Sequence, residues 1–258
     1  MLITSQIAPH VLGGKLALVT GAGQGNGRAI SKGLAQAGAR VVVTDIHGEN
    51  AKAVAKEITD SGGQAWHYVL DVTSESECQA LAALVANDVG HINVLVNNAG
   101  IIIREGVDSP KAVQNLERMM EVNVLGTFKP THAFLPALRA TKGCIINLAS
   151  IAAQAGLPGT MGYSPSKGAV KLMTQALAVE LAKEGVRVNS LAPGVMATPM
   201  TEVTRSTPEK LDKFMLRTPM ARVGQAEELI GPVVFLASEM ASYVTGVTLP
   251  VDGGFLAS

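Results

Sequence analysis

The chain has 258 residues, 47% of them hydrophobic, which is enough for one large domain or two small domains with a buried core. Its 21 basic and 21 acidic residues cancel, so it lacks the positive charge typical of proteins that bind nucleic acid or anionic membranes. The composition also argues against a disordered chain. Small-molecule chemistry is therefore the favoured class of function.

The start of the chain and its cysteines bear on the cellular compartment of the protein. Residues 1–13 lack a charged start, a continuous apolar core and a cleavage-like site, and are predicted to form a loose N-terminal extension. No run of 18 apolar residues occurs, so no membrane-spanning segment is expected. Cys78 and Cys144 are widely separated and predict free thiols in a reducing cytoplasm. The five histidines are scattered without metal-ligand spacing, so no metal site is expected.

Short β-branched runs alternate along the chain with longer stretches of helical periodicity. Strands that are apolar on both faces and separated by helices predict a parallel sheet covered on both sides. The expected fold is one α/β domain over residues 14–258, a doubly wound Rossmann fold with helices on both faces of a mostly parallel, seven-stranded sheet. In chain order, the predicted strands cover residues 16–20, 41–45, 65–71, 94–98, 144–150, 186–193 and 246–253.

Two long helices are predicted, at residues 110–139 and 164–184. Pro136 is predicted to bend or end the first of them, since proline removes a helical hydrogen bond. Residues 195–223 differ in composition, being rich in methionine, threonine, proline and charged side chains. They are predicted to form a substrate lid with short helices, and the alternative is an ordinary solvated connection.

A glycine-rich loop directly follows the first predicted strand. The sequence TGAGQGNG at 20–27 opens into a helical run, and its glycines would let the backbone approach a pyrophosphate at the helix N-terminus. Asp45 ends the second strand, where a carboxylate can accept both adenosine ribose hydroxyls and repel a 2′-phosphate. This predicts NAD over NADP, although Arg28 and His47 are nearby cations that could tolerate the phosphate. The alternative role of Asp45 is to cap the helix that begins near Glu49.

Ser150, Tyr163 and Lys167 together predict a base that works at neutral pH. A free tyrosine has a pKa of about 10, so a phenolate near neutral pH needs about 4 kcal/mol of selective stabilisation. If Tyr163 and Lys167 share a helix face, an ammonium about 5 Å from the phenol oxygen supplies roughly 3 kcal/mol. A second positive charge would complete the shift.

These features resemble the short-chain dehydrogenase/reductase family over residues 13–258. The resemblance implies an oxidoreductase in which Tyr163 is the general acid/base, Ser150 steadies the substrate oxygen, and Lys167 holds the nicotinamide ribose and lowers the pKa of the tyrosine. Asn123 would anchor a water that connects Lys167 with solvent, and the oxidised nicotinamide would be the second positive charge. The motifs that carry the resemblance are TGAGQGNG at 20–27, Asp71 in DVT, NNAG at 97–100, Asn123 in MEVNV, Ser150, Tyr163-x-x-x-Lys167, Pro193-Gly194 and VDGG at 251–254.

The resemblance also implies a set of cofactor-binding residues. Two positions depart from the family pattern: Asn26 replaces a small aliphatic residue, and Pro165 falls between Tyr163 and Lys167. Asn26 would contribute mainly its backbone, and Pro165 fits a first helical turn, which predicts a helix start at about Ser164. The implied set is Gly21, Gln24, Gly25, Asn26, Gly27, Asp45, Ile46, Asp71, Val72, Asn98, Ala99, Gly100, Tyr163, Lys167, Pro193, Gly194, Val195 and Thr198.

The expected reaction is hydride transfer between NAD(H) and a secondary alcohol or ketone. The predicted lid and the C-terminal part of the chain look most like those of family members that oxidise sugars, sugar acids or polyols, such as gluconate dehydrogenases. The segments concerned are RTPMAR at 217–222, EEL at 227–229, ASYVTG at 241–246 and VDGGFLA at the end. The alternative enzyme is a 3-oxoacyl-thioester (ACP or CoA) reductase, although Asp45 disfavours the NADPH that biosynthetic reduction uses. A dinucleotide-sensing binding protein is the non-enzyme alternative, and an extended epimerase or dehydratase would need a different glycine spacing and a larger substrate domain. Relatives commonly form homotetramers, and the Ala-rich faces of the two long helices predict either such contacts or core burial.

Overall fold

The computed structural model of the protein describes residues 10–258, and a seven-stranded sheet runs through their centre. All seven predicted strands are present, and each begins and ends within two residues of its predicted bounds. The strands are β1 (Leu16–Val19), β2 (Arg40–Asp45), β3 (Ala65–Val69), β4 (Val94–Asn97), β5 (Cys144–Leu148), β6 (Arg187–Pro193) and β7 (Thr248–Val251).

The strand order is β3-β2-β1-β4-β5-β6-β7, and every neighbouring pair is parallel. The chain moves outward in one direction from β1 to β3 and in the other from β4 to β7. The loops therefore diverge at the carboxyl ends of β1 and β4, where open α/β sheets bind their ligands. The predicted doubly wound α/β fold is confirmed.

Helices cover both faces of the sheet, and the two faces form separate apolar clusters. Ala17 and Val19 of β1 lie in one cluster and Leu16 and Leu18 in the other, because successive side chains of a strand alternate. This explains why the strands are apolar along their whole length. The helices are α1 (Gly25–Gln36), α2 (Gly48–Asp60), α3 (Glu75–Asp88), α4 (Ala112–Met120), α5 (Gly126–Thr141), α6 (Tyr163–Leu181), α7 (Glu202–Arg205), α8 (Pro208–Met215) and α9 (Ile230–Ala237).

The single helix predicted over residues 110–139 is divided in two. A π-helical turn over Glu121–Leu125 joins α4 to α5, and Asn123 stands in the middle of it. Such a turn interrupts the regular hydrogen bonding of a helix and often occurs at functional sites. The hydrophobic period of the sequence runs through it without a break, so the period did not reveal it.

Pro136 does not end the helix in which it lies. α5 contains both Pro130 and Pro136 and continues to Thr141. Phe134 and Leu138, on either side of Pro136, are buried against the sheet. Because helices in proteins are stabilised mainly by packing, this burial offsets the loss of one backbone hydrogen bond.

Residues 195–223 contain the short helices α7 and α8 that were predicted for them. The base of this segment is closed by a hydrogen bond from Gly224 N to Val195 O (3.0 Å). Arg222 also makes two hydrogen bonds to the carboxylate of Glu228 (2.7 and 2.8 Å), and these lower the pKa of Glu228 to about 2. The ends of the segment are therefore tied to the domain.

The predicted N-terminal extension falls partly outside the described residues, which begin at His10. Within the described part, Leu12 is fully buried and its N–H donates to Ala37 O (2.8 Å) at the end of α1. These last residues before β1 are therefore packed on the domain. Along residues 10–258, no helix has the length and apolar character needed to cross a bilayer.

Candidate active site

A cavity of about 350 Å³ opens at the carboxyl ends of the central strands, where the fold places its switch point. Most of the residues predicted for the site come together around it, although they are spread over 178 positions of sequence, from residue 21 to residue 198. The predicted residues that line the cavity are Gly21, Gln24, Gly25, Asn26, Asp45, Ile46, Asp71, Val72, Asn98, Ala99, Gly100, Ser150, Tyr163, Lys167, Pro193, Gly194 and Thr198.

Three predicted residues do not line this cavity. Gly27 lies beneath the loop, where an added Cβ would be 2.4 Å from Asn98 Nδ2, so the missing side chain lets the start of α1 approach the loop after β4. Val195 borders a second cavity, of about 320 Å³, beside the 195–223 segment. Asn123 is fully buried behind the wall of the first cavity.

The glycine-rich loop has the shape of a phosphate cradle. Gly21 and Gly25 have φ values of +58° and +53°, which favour glycine. A Cβ on Gly21 would be 2.8 Å from the Cα of Ala99, so the backbone of two loops meets there. Because α1 begins at Gly25, its unpaired N–H groups lie at the cavity. The loop therefore fits the pyrophosphate of a dinucleotide.

Asp45 is anchored at the end of β2 and is only 8% exposed. Its carboxylate accepts hydrogen bonds from Gly23 N and His47 N, both at 2.9 Å. α2 begins at Gly48 with His47 at its N-cap, so the alternative in which Asp45 caps that helix is wrong. The carboxylate faces the glycine-rich loop instead.

Of the two cations considered near Asp45, Arg28 is engaged elsewhere. Its guanidinium pairs with Glu57 of α2 (Nη2 to Oε2, 2.7 Å), and Lys32 pairs with the same carboxylate (2.9 Å). His47 lines the cavity. Asp45 therefore has fewer available cations nearby than the sequence alone indicated.

Ser150, Tyr163 and Lys167 meet at the wall of the cavity. α6 begins at Tyr163, one residue before the predicted start, and Pro165 stands in its first turn as expected. Lys167 Nζ lies 5.8 Å from the centre of the Tyr163 ring and donates to Leu148 O (2.7 Å). The lysine therefore bridges the tyrosine and the end of β5.

The protein's own groups do not lower the pKa of Tyr163 below its ordinary value. Desolvation by the surrounding protein raises that pKa, and the hydrogen bond with Ser150 and the charge of Arg104 oppose the rise. Lys167 is not among the groups that oppose the rise, so its predicted lowering of the Tyr163 pKa stays a prediction. Burial lowers the pKa of the Lys167 ammonium itself to about 8. A pKa of Tyr163 below its ordinary value therefore needs a further positive charge next to the phenol.

Replacing Lys167 by methionine is expected to stabilise the fold at neutral pH. The folded-state pKa of Lys167, about 8, lies below the unfolded value of about 10.4, so burying the ammonium disfavours folding at low and neutral pH. After allowing for the lost hydrogen bond to Leu148, we expect Lys167→Met to raise the free energy of unfolding by about 1–2 kcal/mol at pH 7. The gain should shrink between pH 8 and 10.5 as wild-type lysine loses its proton. Urea unfolding at several pH values measures it, and a gain that grows with pH would contradict the prediction.

Asn123 is held by three hydrogen bonds within the protein. Its Oδ1 accepts from Ile101 N (2.8 Å), and its Nδ2 donates to Ile101 O (3.0 Å) and Ser166 Oγ (2.9 Å). A Cβ on Gly100 would be 3.0 Å from Asn123 Oδ1 and 3.3 Å from Lys167 Nζ. The missing side chain at Gly100 therefore keeps the space between these two side chains open.

Several residues of the site were not predicted. Arg104 interacts with Tyr163 and its Nη2 reaches Met200 O (3.5 Å), so it adjoins the cavity from the loop after β4. Its position, shortly after NNAG at the carboxyl edge of the sheet, was the available signal. The cavity-lining residues outside the predicted catalytic and cofactor-binding sets are His47, Leu70, Thr73, Ile101, Arg118, Val122, Leu148, Ala149, Pro199 and Thr201, together with Met196 and Met200 of the predicted lid.

Comparison with known proteins identifies the family. A family model described as enoyl-(acyl carrier protein) reductase matches residues 21–256. The chain is 39% identical over 245 residues to cyclopentanol dehydrogenase from Comamonas sp., covering 95% of this chain and 98% of the relative. The chain belongs to the short-chain dehydrogenase/reductase family. The resemblance found in the sequence is thereby confirmed.

Two further relatives of this short-chain dehydrogenase/reductase are informative. It is 38% identical over 247 residues to 3-oxoacyl-[acyl-carrier-protein] reductase from Thermotoga maritima, covering 95% of this chain and 99% of the relative. The crystal structure of a gluconate 5-dehydrogenase from Burkholderia cenocepacia in complex with NADP and tartrate superposes with a TM-score of 0.91 at 36% identity, covering 95% of this chain and 96% of that one. The protein is an oxidoreductase that acts on alcohols through a nicotinamide cofactor.

Proposed function

We propose that this short-chain dehydrogenase/reductase oxidises a secondary alcohol of a sugar acid, sugar or polyol with NAD⁺, with Tyr163 as the general acid/base. The observation that carries the proposal is the setting of Tyr163, which lines the cavity with Ser150 and Lys167 and interacts with Arg104. A phenol between a hydroxyl and two cations can both take and return a proton.

Each residue of the trio has a separate proposed task. Tyr163 takes the proton of the substrate hydroxyl while the hydride leaves the carbon that bears this hydroxyl. In the reverse direction Tyr163 returns the proton to the oxygen. Ser150 holds the reacting oxygen, and Lys167 holds the nicotinamide ribose. The nicotinamide supplies the carbon that accepts the hydride and, when oxidised, the positive charge that the phenolate needs. The open space beside Gly100 supports the proposed role of Asn123 in anchoring a water next to Lys167.

We propose that Asp45 makes NAD the preferred cofactor. Its buried carboxylate is fixed by Gly23 N and His47 N and lines the cavity together with the apolar side chain of Ile46. A 2′-phosphate brought to this carboxylate would be repelled. The pairing of Arg28 with Glu57 supports the same preference, because it engages a cation that could offset the repulsion.

Arg104 supports the choice of a sugar acid within this substrate class. Within residues 10–258 it forms no ion pair with an acidic side chain, and burial lowers the pKa of its guanidinium. A partly buried guanidinium without a carboxylate favours an anionic ligand, because binding one restores the interactions that burial removed. Its neighbours Tyr163 and Met200 both line the cavity, so a substrate carboxylate and the reacting hydroxyl could be bound together.

An aldonate and the neutral polyol of the same carbon number test this proposal. We expect Arg104→Gln to raise the KM for the aldonate about tenfold to a hundredfold, the usual value of a hydrogen bond to a charged group, and to leave the KM for the polyol unchanged. Arg104→Lys should fall between, since it keeps the charge and loses the planar fork. Any effect of Arg104 on the pKa of Tyr163 changes kcat for both substrates alike, so the ratio of the two KM values isolates carboxylate binding. Equal changes in both KM values would reject the sugar-acid substrate.

A 3-oxoacyl-thioester reductase is the second candidate function. The 38% identity to the Thermotoga maritima reductase favours it. The buried carboxylate of Asp45 disfavours it, because that reaction class draws on NADPH. Faster reduction of acetoacetyl-CoA with NADPH than oxidation of any alcohol with NAD⁺ would replace the first proposal.

We further propose a cytoplasmic homotetramer whose 195–223 segment acts as a lid. Cys78 and Cys144 are free and buried, which supports a reducing compartment. Large apolar side chains on the two long helices are exposed, including Leu172 (64%) and Val179 (79%), and a partner subunit could cover them. Residues of the segment border the cavity, which supports the lid.

A further inference from the structure

Two asparagines on neighbouring strands lie directly beneath the active site. Asn97 ends β4 and pairs in register with Asn147 of β5, and their exposures are 2% and 0%. They follow Leu95 and Ile145 on the same face of the sheet, because side chains two apart on a strand share a face. An amide pair thus stands where the pattern of this face would continue with an apolar pair.

One arm of hydrogen bonds runs from this pair to Asn123. Asn97 Nδ2 donates to Asn147 Oδ1 and to Thr131 Oγ1, both at 2.9 Å. Thr131 Oγ1 donates to Thr127 O (2.8 Å), and Thr127 Oγ1 donates to Asn123 O (2.7 Å). That carbonyl belongs to the π-helical turn, where the regular bonding of the helix is interrupted. The Thr127 hydroxyl therefore holds the turn that orients Asn123.

A second arm runs from the same pair to the helix of Tyr163 and Lys167. Asn147 Nδ2 donates to Thr174 Oγ1 (2.9 Å), and Thr174 Oγ1 donates to Val170 O (2.8 Å). Val170 lies about one turn after Lys167 on α6. The amide pair is therefore bonded to both of the helical segments that carry the proposed catalytic machinery.

We propose that this asparagine-threonine network consists of positioning residues, which fix Asn123 relative to Lys167 so that Tyr163 can transfer its proton. Its members are Asn97, Thr127, Thr131, Asn147 and Thr174. The inference rests on the proposed roles of the site residues.

The polar character of the network supports positioning over simple packing. A buried polar network specifies one arrangement, whereas apolar side chains of similar size are often equally or more stabilising. Asn97 Oδ1 has no hydrogen-bond partner within the part of the chain that the structure describes, so the pair is not arranged for greatest stability. The benefit of the pair is the fixed spacing of the two helices.

Thr127 gives the sharpest test, because valine has its shape without its hydroxyl and serine keeps the hydroxyl. With NAD⁺ and the alcohol that the wild type oxidises best, we expect Thr127→Val to lower kcat about tenfold to a hundredfold, the cost of small misplacement at a reacting centre. The KM for the alcohol should stay unchanged, and the rising limb of the pH profile of kcat should move to higher pH, because the phenolate is less stabilised. Thr127→Ser should restore both. Thr174→Val and Thr174→Ser form the matched pair for the second arm.

The outcomes separate positioning from folding. A Thr127→Val variant that melts at a lower temperature yet keeps the wild-type kcat and pH profile would overturn the proposal. A Thr127→Ser variant whose kcat is as low as that of the valine variant would overturn it as well. The pKa of Tyr163 can also be read from tyrosinate absorbance in the NAD⁺ complex, with Tyr163→Phe as the blank and no substrate present. A wild type that oxidises no sugar acid, sugar or polyol would reject the proposed substrate class. An unchanged tyrosinate midpoint in Thr127→Val would reject the network's role alone.

Discussion

Tyr163→Phe is expected to lower kcat for alcohol oxidation about a thousandfold while NAD⁺ binding is retained. The substitution removes the oxygen that we propose takes the substrate proton, and it leaves the ring at the start of α6. Under the same proposal the dinucleotide is bound mainly by the glycine-rich loop and Asp45, which phenylalanine at position 163 does not replace. Steady-state NADH formation measures kcat, and fluorescence titration with NADH measures the binding.

The chain offers a matched control for the loss of one phenol oxygen. Tyr68 lies in β3 at the edge of the sheet and is not among the cavity-lining residues, so Tyr68→Phe should keep the wild-type kcat. Turnover retained by Tyr163→Phe would show that another group is the base. A wild type that binds NAD⁺ and oxidises no alcohol or reduces no ketone would instead favour a dinucleotide sensor.

Local chemistry made the strands and the phosphate cradle predictable from the sequence. A β-branched run followed by TGAGQGNG and a helical period encodes strand, turn and helix within about 20 consecutive residues. The positive φ values of Gly21 and Gly25 and the anchoring of Asp45 agree with that expectation. Parallel topology then brings distant strand ends to one edge, which is why most of the predicted residues line a single cavity.

The features that were missed depend on contacts between distant segments. Helical periodicity extends over both sides of Asn123, so the π turn that orients it was invisible in sequence. Arg104 adjoins the site only because the fold brings its loop near Tyr163, which is 59 positions later in the chain. The burial of Lys167 was not predicted for the same reason: helical spacing gives its distance from Tyr163, whereas its burial depends on the end of β5.

Removing the charge of Asp45 is expected to weaken the discrimination between NAD⁺ and NADP⁺. Two unit charges about 4 Å apart interact by roughly 1 kcal/mol in water and roughly 4 kcal/mol at a partly buried site, so the carboxylate should favour NAD⁺ by about one to three orders of magnitude in kcat/KM. Asp45→Asn keeps the shape of the side chain and one acceptor for Gly23 N or His47 N. We expect it to reduce the preference about tenfold or more, chiefly through a lower KM for NADP⁺.

Asp60→Asn is the control, since it removes the same charge from an exposed position at the end of α2 and should leave the preference unchanged. The comparison is informative because the similar gluconate 5-dehydrogenase from Burkholderia cenocepacia was crystallised with NADP. A wild-type preference for NADP⁺ would mean that the charges near β2 outweigh one anchored carboxylate, with Arg28 leaving Glu57 as the candidate cause. Equal ratios of kcat/KM for NAD⁺ and NADP⁺ in Asp45→Asn and Asp60→Asn would mean that the Asp45 carboxylate acts only as the hydrogen-bond acceptor that shapes the loop. The cofactor preference would then have to come from elsewhere in the cavity.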